Sequence, residues 1–227
     1  MWGRSGRTRL YRGRVAQGRL ITIEGLDGAG KTTLARGLAH ALATGGSHIE
    51  LLREPGGVEV SERIRDLVKD PALSVSARTE ALLYAAARAQ LVEERLRPLL
   101  GEGAIVLLDR FVDSSLAYQG GGRSLGVEEV RAINLFATGG LTPDRTLLLR
   151  ISPAARRERL HGRALEPDRL EREGEDFFAA IASAYDELAR AEPQRVRVID
   201  ASQPPELVLR EAQAAVVDLL AHPQAPV

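Results

Sequence analysis

The stretch Gly25-Leu26-Asp27-Gly28-Ala29-Gly30-Lys31-Thr32-Thr33 constrains this chain more than any other. Before it, Leu20-Ile21-Thr22-Ile23-Glu24 is a short apolar run that reads as a β-strand. After it, leucines at 34, 38 and 42 recur at helical spacing. A Gly-x-x-x-x-Gly-Lys-Thr loop set between a strand and a helix is a phosphate cradle. Its glycines allow several backbone N–H groups to turn towards one point, and the following helix directs its positive end to the same point. Lys31 is then placed to reach the β- and γ-phosphates of a nucleotide, and the Thr32 hydroxyl to hold Mg2+. The alternative is a glycine-rich turn with an accidental lysine. Only two of the 31 basic residues are lysine, Lys31 and Lys69, so a lysine here marks a place where a compact point charge is wanted instead of a planar guanidinium.

The rest of the chain alternates strands with helices. Residues 49–52, 104–108, 145–151 and 196–199 read as four further strands, of which 104–108 is the most apolar and is expected to be central. Helices are expected over 58–69, 77–100, 127–138, 175–191 and 204–220, and Pro153 opens another at the favoured first position. Gly45-Gly46 end the first helix. This alternation predicts an α/β fold, a five-stranded parallel sheet flanked by helices on both faces and joined by right-handed crossovers. No repeat or long linker divides it. The expected organisation is a basic extension over 1–18, one domain over 19–220 with a mobile segment near 161–174, and a fraying tail over 221–227.

Composition excludes several classes. The chain has 227 residues, 44% hydrophobic and 27% charged, which fits a globular domain and not a disordered chain. It has no cysteine, so disulfides, thiolate metal sites and cysteine nucleophiles are excluded, and a reducing compartment, the cytoplasm, is the expectation. No apolar run is long enough to cross a bilayer. The net charge is zero, but residues 1–19 hold six arginines and no acid, leaving a body of net charge −6. Such a body is not expected to bind nucleic acid. The basic extension lacks the apolar core of a signal peptide; it reads as a floppy extension or an early start codon, with an arginine-rich transit segment or an RNA contact as alternatives.

Three further clusters carry chemistry. Asp109-Arg110-Phe111 follows the most apolar strand, where an acid can reach a Mg2+ shell and an arginine can grip an anion with two N–H groups; the plain alternative is a surface ion pair. Tyr84 and Arg88, four apart, share one helix face suited to a flat base bearing a phosphate, although a tyrosine in an alanine-rich helix can equally be core. Arg156, Arg157, Arg159 and Arg163, with Arg169 and Arg172 beyond, are either a solvated face or a lid whose arginine neutralises charge on a phosphoryl group in transfer. The glycine loop has no arginine of its own, so that charge must come from elsewhere. Asp27, within the loop, needs a cation or donor beside it unless it is a solvated turn residue.

Taken together, these motifs resemble the thymidylate kinase family over about residues 19–220. Glu24 to Thr33 resembles its phosphate loop, Arg53-Glu-Pro-Gly-Gly57 its second motif and Tyr84-Ala-Ala-Ala-Arg88 its base-binding helix. Asp109-Arg-Phe-x-x-Ser-Ser-x-Ala-Tyr-Gln119 resembles the family signature. Asp168-Arg-Leu-Glu171 with Asp176-Phe-Phe178 resembles the end of the lid, and Asp200-Ala-Ser-Gln-Pro204 the loop near the adenine. The resemblance implies a P-loop NTPase fold of the nucleoside monophosphate kinase type. It implies in-line transfer of phosphate from ATP to dTMP, giving dTDP on the way to dTTP, with Mg2+ and without a general base.

By position, the resemblance makes Gly25, Leu26, Asp27, Gly28, Ala29, Gly30, Lys31, Thr32 and Thr33 the ATP-binding loop. Asp27, Lys31, Arg110 and either Arg159 or Arg163 become the catalytic charges, in the lid-arginine arrangement usual in bacteria. Thr32 and Asp109 become the metal-side residues. Arg53, Pro55, Tyr84, Arg88, Arg110, Ser114, Ser115, Tyr118 and Gln119 become the dTMP site, with Tyr84 stacking on thymine and Tyr118 filling the space of a ribose 2′-hydroxyl. The stacking residue is often phenylalanine in the family and is tyrosine here. The resemblance also implies a cytoplasmic homodimer.

Three rival readings make different demands on the sequence. A regulatory GTPase needs Asn-Lys-x-Asp, and the only asparagine, Asn134, is followed by Leu135. Another nucleotide or deoxynucleoside kinase would differ in its acceptor. A non-catalytic nucleotide binder would be expected to lack Lys31, Arg110 or a lid arginine, and all are present.

Overall fold

A computed structural model describes residues 18–44, 46–161 and 168–220. The extension apart from Gly18, Gly45 of the first helix stop, Arg163 and the tail 221–227 lie outside the described residues.

Five parallel strands form one sheet: β1 (Arg19–Gly25), β2 (Ile49–Arg53), β3 (Ile105–Asp109), β4 (Arg145–Arg150) and β5 (Val196–Asp200), in the order β2-β3-β1-β4-β5. β1 is the middle strand, and β3 lies beside it with a partner on each edge. Alternation sorts their side chains. Ile21, Ile23, Ile105 and Leu107 enter one core with α1 (Lys31–Ala43), α8 (Glu175–Ala191) and α9 (Pro205–Leu220). Leu20, Val106 and Leu108 enter a second core on the opposite face, with Leu91 and Phe111. The first connection leaves the middle of the sheet and returns beyond β3. The loops after β1, β2 and β3 therefore gather at one carboxyl-terminal edge, where open α/β sheets bind ligands.

α2 (Glu59–Lys69), α6 (Val127–Thr138) and α7 (Pro153–His161) fall within a residue or two of expectation. The expected helix 77–100 is α3 (Ala77–Leu91), a wide π-type turn (Val92–Leu96) and α4 (Arg97–Gly101). The wide turn closes with the Arg97 N–H on Val92 O and is followed by Pro98, which has no N–H to continue an α-helical register.

A further helical segment had no expectation: α5 (Val112–Ser115), continued by a wide turn through Gly122. Its glycines concealed it from a reading by propensity. A Cβ at Gly121 would lie 2.7 Å from the Ala184 Cβ, and one at Gly122 2.7 Å from the Phe177 ring. They are spaces for α8 to approach, not helix breaks.

Candidate active site

The phosphate loop turns out of β1 with φ of +131° at Gly25, +88° at Gly28 and +95° at Gly30, angles costly to any residue with a Cβ. Gly30 caps α1, whose first residue, Lys31, is buried. Its Nζ donates to Gly25 O and Leu26 O, both at 3.1 Å, and lies 3.6 Å from Asp27. Burial, helped by the nearby Arg110 charge, brings the Lys31 ammonium down to about 8. Thr32 Oγ1 donates to Asp109 Oδ2 at 3.0 Å, so the loop hydroxyl and the β3 carboxylate sit together. Among the described residues no three acidic or histidine side chains cluster as a metal cage. One hydroxyl and one carboxylate fit a Mg2+ that arrives with nucleotide phosphates supplying most of its ligands.

Arg110 has φ of +71°, rare for a residue with a side chain, at the turn after β3. Its N–H donates to Ile23 O, and the next N–H, of Phe111, donates to Glu24 Oε1 at 2.7 Å. Glu24 also accepts from the Ser114 hydroxyl at 2.5 Å and the Tyr185 hydroxyl at 2.9 Å. Burial, with the Asp113 carboxylate adding to it, pushes the Glu24 carboxyl up to about 7. From this turn the Arg110 guanidinium donates to Ser114 Oγ at 3.0 Å, Asp27 Oδ1 at 2.7 Å and Tyr118 Oη at 3.1 Å. Tyr118 Oη in turn donates to Asp27 Oδ2 at 3.3 Å. Burial alone would raise the Asp27 carboxyl, but Arg110 and Lys31 override it and hold it well below the usual range.

These groups face one cavity of about 350 Å³, the size of a small-molecule site. Lys31, Thr32 and Asp109 line it together with Arg53, Pro55, Tyr84, Ser115 and Gln119. The Glu54–Pro55 bond is cis. Gly25, Leu26 and Ala29 of the loop do not line this cavity. Arg53 is directed partly elsewhere, onto both carboxylate oxygens of Glu62 at 3.0 and 3.1 Å.

Arg88 lines the cavity yet is only 1% exposed. Its N–H groups are taken by Glu54 Oε2, Ser115 Oγ, Asn134 Oδ1 and Phe111 O. A reading of one helix face could not find these partners, because they come from segments far apart in sequence. Glu54 Oε1 has no hydrogen-bond partner among the described residues.

α7 brings Arg159 against the phosphate loop. Its Nη1 reaches Gly28 O at 3.3 Å and Ala29 O at 3.4 Å, and its Nη2 donates to Ala201 O at 2.7 Å. Arg156 instead lies 3.6 Å over the Phe178 ring, and Arg157 pairs with exposed Glu175. Arg65, Lys69, Leu170 and Glu171 also line the cavity and were not singled out for it from sequence. Only the scarcity of lysine pointed towards Lys69.

A family model described as thymidylate kinase matches residues 23–212. A thymidylate kinase of Bacillus licheniformis is 44% identical over 209 residues, covering 91% of this chain and 99% of that protein. One from Deinococcus radiodurans is 46% identical over 202 residues, covering 89% and 98%. The crystal structure of thymidylate kinase from Ehrlichia chaffeensis superposes with a TM-score of 0.70 at 27% identity, covering 89% of this chain and 98% of that one.

Proposed function

The chain belongs to the thymidylate kinase family, and from that membership we propose how its own residues carry the reaction. It phosphorylates dTMP to dTDP with ATP as the donor. The observation that carries the assignment of roles is the cavity in which the glycine loop and the Arg110 turn meet.

The donor's phosphates lie on the loop amides and Lys31, as Mg-ATP, with Thr32 and Asp109 towards the cation. When bound, Mg2+ would neutralise part of the charge on the donor phosphates. Arg110 grips the phosphate of dTMP. Asp27, bonded to Arg110 and close to Lys31, fixes the distance between acceptor and donor sites. Tyr84 stacks on thymine above the wall made by Pro55, Ser115 and Gln119. Arg88, engaged by the protein, holds that wall in shape. Tyr118 occupies the place of a ribose 2′-hydroxyl.

The dTMP phosphate is already an anionic nucleophile, so no general base is needed. In-line positioning and neutralisation by Lys31, Arg110 and a lid arginine carry the rate. Of the two candidates, Arg159 is supported by its contacts with the loop carbonyls.

The reading extends to a homodimer in the cytoplasm. Leu82 on α3 and Leu135 and Phe136 on α6 support the dimer: they are 56%, 63% and 92% exposed on two helices that pack together. No helix among the described residues is long and apolar enough to cross a membrane.

The test is ADP release with ATP and Mg2+ against dTMP, dUMP, UMP, dCMP, dGMP and thymidine. Turnover with dTMP, little with UMP and none with thymidine is expected. Turnover with thymidine would overturn the acceptor site. Tight ATP binding without turnover on any acceptor would point to a non-catalytic binder.

A further inference from the structure

Lys69, one of the chain's two lysines, has no part in the mechanism above. It ends α2, and its Nζ reaches 99 residues along the chain to Asp168 Oδ2 at 2.6 Å. The other Asp168 oxygen accepts the N–H groups of Leu170 and Glu171, both at 3.0 Å. The Glu171 carboxylate returns to the Asp168 N–H at 3.3 Å. Asp168 and Glu171 thus close a reciprocal cap on a single turn.

That turn is seated on the carboxyl end of α2. The Arg169 N–H meets Lys69 O at 3.3 Å, and its Nε donates to Val68 O at 2.9 Å. Cations are favoured there, where the last helical carbonyls lack partners. Arg169 Nη2 continues to Glu80 of α3 at 2.7 Å, a carboxylate with no exposure that also receives Arg123 and Gln119. The seated turn delivers Leu170 and Glu171 to the cavity wall, beside the residues assigned to dTMP.

We propose that Lys69 is a positioning residue for the acceptor. Through Asp168 it clamps the 168–171 turn onto α2, and so fixes the wall that Leu170 and Glu171 give the dTMP site. The Arg169–Glu80 pair is the buried anchor of this wall. The Lys69–Asp168 pair, with side chains 36% and 19% exposed, is its adjustable edge. The inference rests on the dTMP-site reading for its kinetic part only.

The experiment compares Lys69→Met, Asp168→Asn and the double variant. Methionine keeps the length of the side chain. Asparagine keeps an oxygen for the Leu170 and Glu171 N–H groups and removes the charge. Each single variant is expected to raise KM for dTMP about five-fold, the range of a partly exposed ion pair, with KM for ATP and kcat little changed. The double variant is expected to match either single one, because both remove the same pair. In the free protein, hydrogen exchange at the Leu170 and Glu171 amides is expected to quicken in Lys69→Met.

An unchanged KM for dTMP in Lys69→Met overturns the proposal, and so do additive effects. A lowered KM in Asp168→Asn would mean that Lys69 contacts the acceptor itself and is only restrained by Asp168, which also overturns it. Slow exchange at both amides in Lys69→Met overturns the clamp without reference to activity. Failure of the parent protein to use dTMP would instead overturn the acceptor reading and leave the exchange result standing.

Discussion

Arg110 Nη2 and Asp27 Oδ1, 2.7 Å apart, join the turn after β3 to the loop after β1. Each residue answers a difficulty of the other. The carboxylate would be out of place among phosphate-facing amides, and the arginine sits on a backbone with φ of +71°. Their pairing ties the two loops proposed to hold the donor and acceptor phosphates, and Tyr118 closes the triangle by bonding to both. In Asp27→Asn the geometry can survive through the amide oxygen, but the charge that holds Arg110 is gone. We expect kcat to fall by about 10²-fold, the scale of losing one preorganised electrostatic contact. Because Asp27 stays ionised far below neutrality, its pair contributes no inflection between pH 5 and 9. A full pH–rate profile of the wild type and the variant checks both statements.

Arg159 is exposed, and its protein partners are backbone carbonyls, so its removal leaves the core intact. Arg159→Met is expected to lower kcat by about 10²- to 10³-fold while the melting temperature barely changes. Single-turnover kinetics with saturating ATP and dTMP measure the first, and thermal melts followed by circular dichroism the second. A normal kcat would transfer the role to another arginine.

The glycine loop was legible because its chemistry is backbone chemistry, written in glycine spacing and flanked by elements of clear periodicity. The Asp109-Arg110 pair was legible because it ends an unmistakable strand. What stayed hidden depends on contacts between distant segments. Arg88 reads as a cation on a helix face, yet Glu54, Ser115, Asn134 and Phe111 enclose it. The helix after Phe111 is hidden in the sequence because Gly120, Gly121 and Gly122 look like breakers until the start of α6 is seen against Gly120 and α8 against Gly121 and Gly122. Lys69 was conspicuous only by rarity, and its partner Asp168 lies 99 residues away.

Tyr118 separates two effects that one substitution would mix. Its ring fills space beside the sugar in the proposed pose, and its hydroxyl ties Arg110 to Asp27. Tyr118→Phe keeps the ring, so UMP should still be refused while kcat for dTMP falls about ten-fold from the lost hydrogen bonds. Tyr118→Ala removes both, so the ratio of kcat/KM for dUMP over UMP should drop towards unity. Parallel assays with the two acceptors, which share a base and differ at the 2′ position, decide this.

Lys31 gives a pH dependence of the opposite sense to an acid. Burial holds its ammonium near 8 in the free protein, so the charge that attracts phosphate is complete below that pH and disappears above it. kcat/KM for ATP, which reports the free enzyme, should decline above about pH 8. Bound phosphates favour the ammonium, so kcat should hold to higher pH. Lys31→Met should remove the alkaline limb together with most of the turnover.

Glu24 connects stability to the same turn. Its carboxyl is raised from an ordinary 4.5 to about 7 by burial, so between these values the folded protein binds a proton that the unfolded chain does not. Stability from this group is therefore full below about 4.5 and is lost as pH rises through 7. Above that, an ionised carboxylate is held without exposure, yet it accepts the Phe111 N–H and two hydroxyls that set the Arg110 turn. A glutamine side chain in its place cannot ionise, and its amide oxygen can keep the Phe111 N–H while its NH2 donates to the hydroxyl oxygens. Glu24→Gln should therefore gain stability over the wild type as pH rises from 5 to 8, with the difference levelling above about 7.5. The same change weakens the acceptor that orients Ser114 and Arg110, so KM for dTMP should rise at pH 8 even as the fold becomes harder to unfold. Urea unfolding across this range, paired with dTMP kinetics, tests the two halves together. A stability difference that does not vary with pH would show that Glu24 does not titrate there. A gain in stability without a rise in KM would show that the turn keeps its shape without the Glu24 carboxylate, through Ile23 O, Asp27 and Arg88.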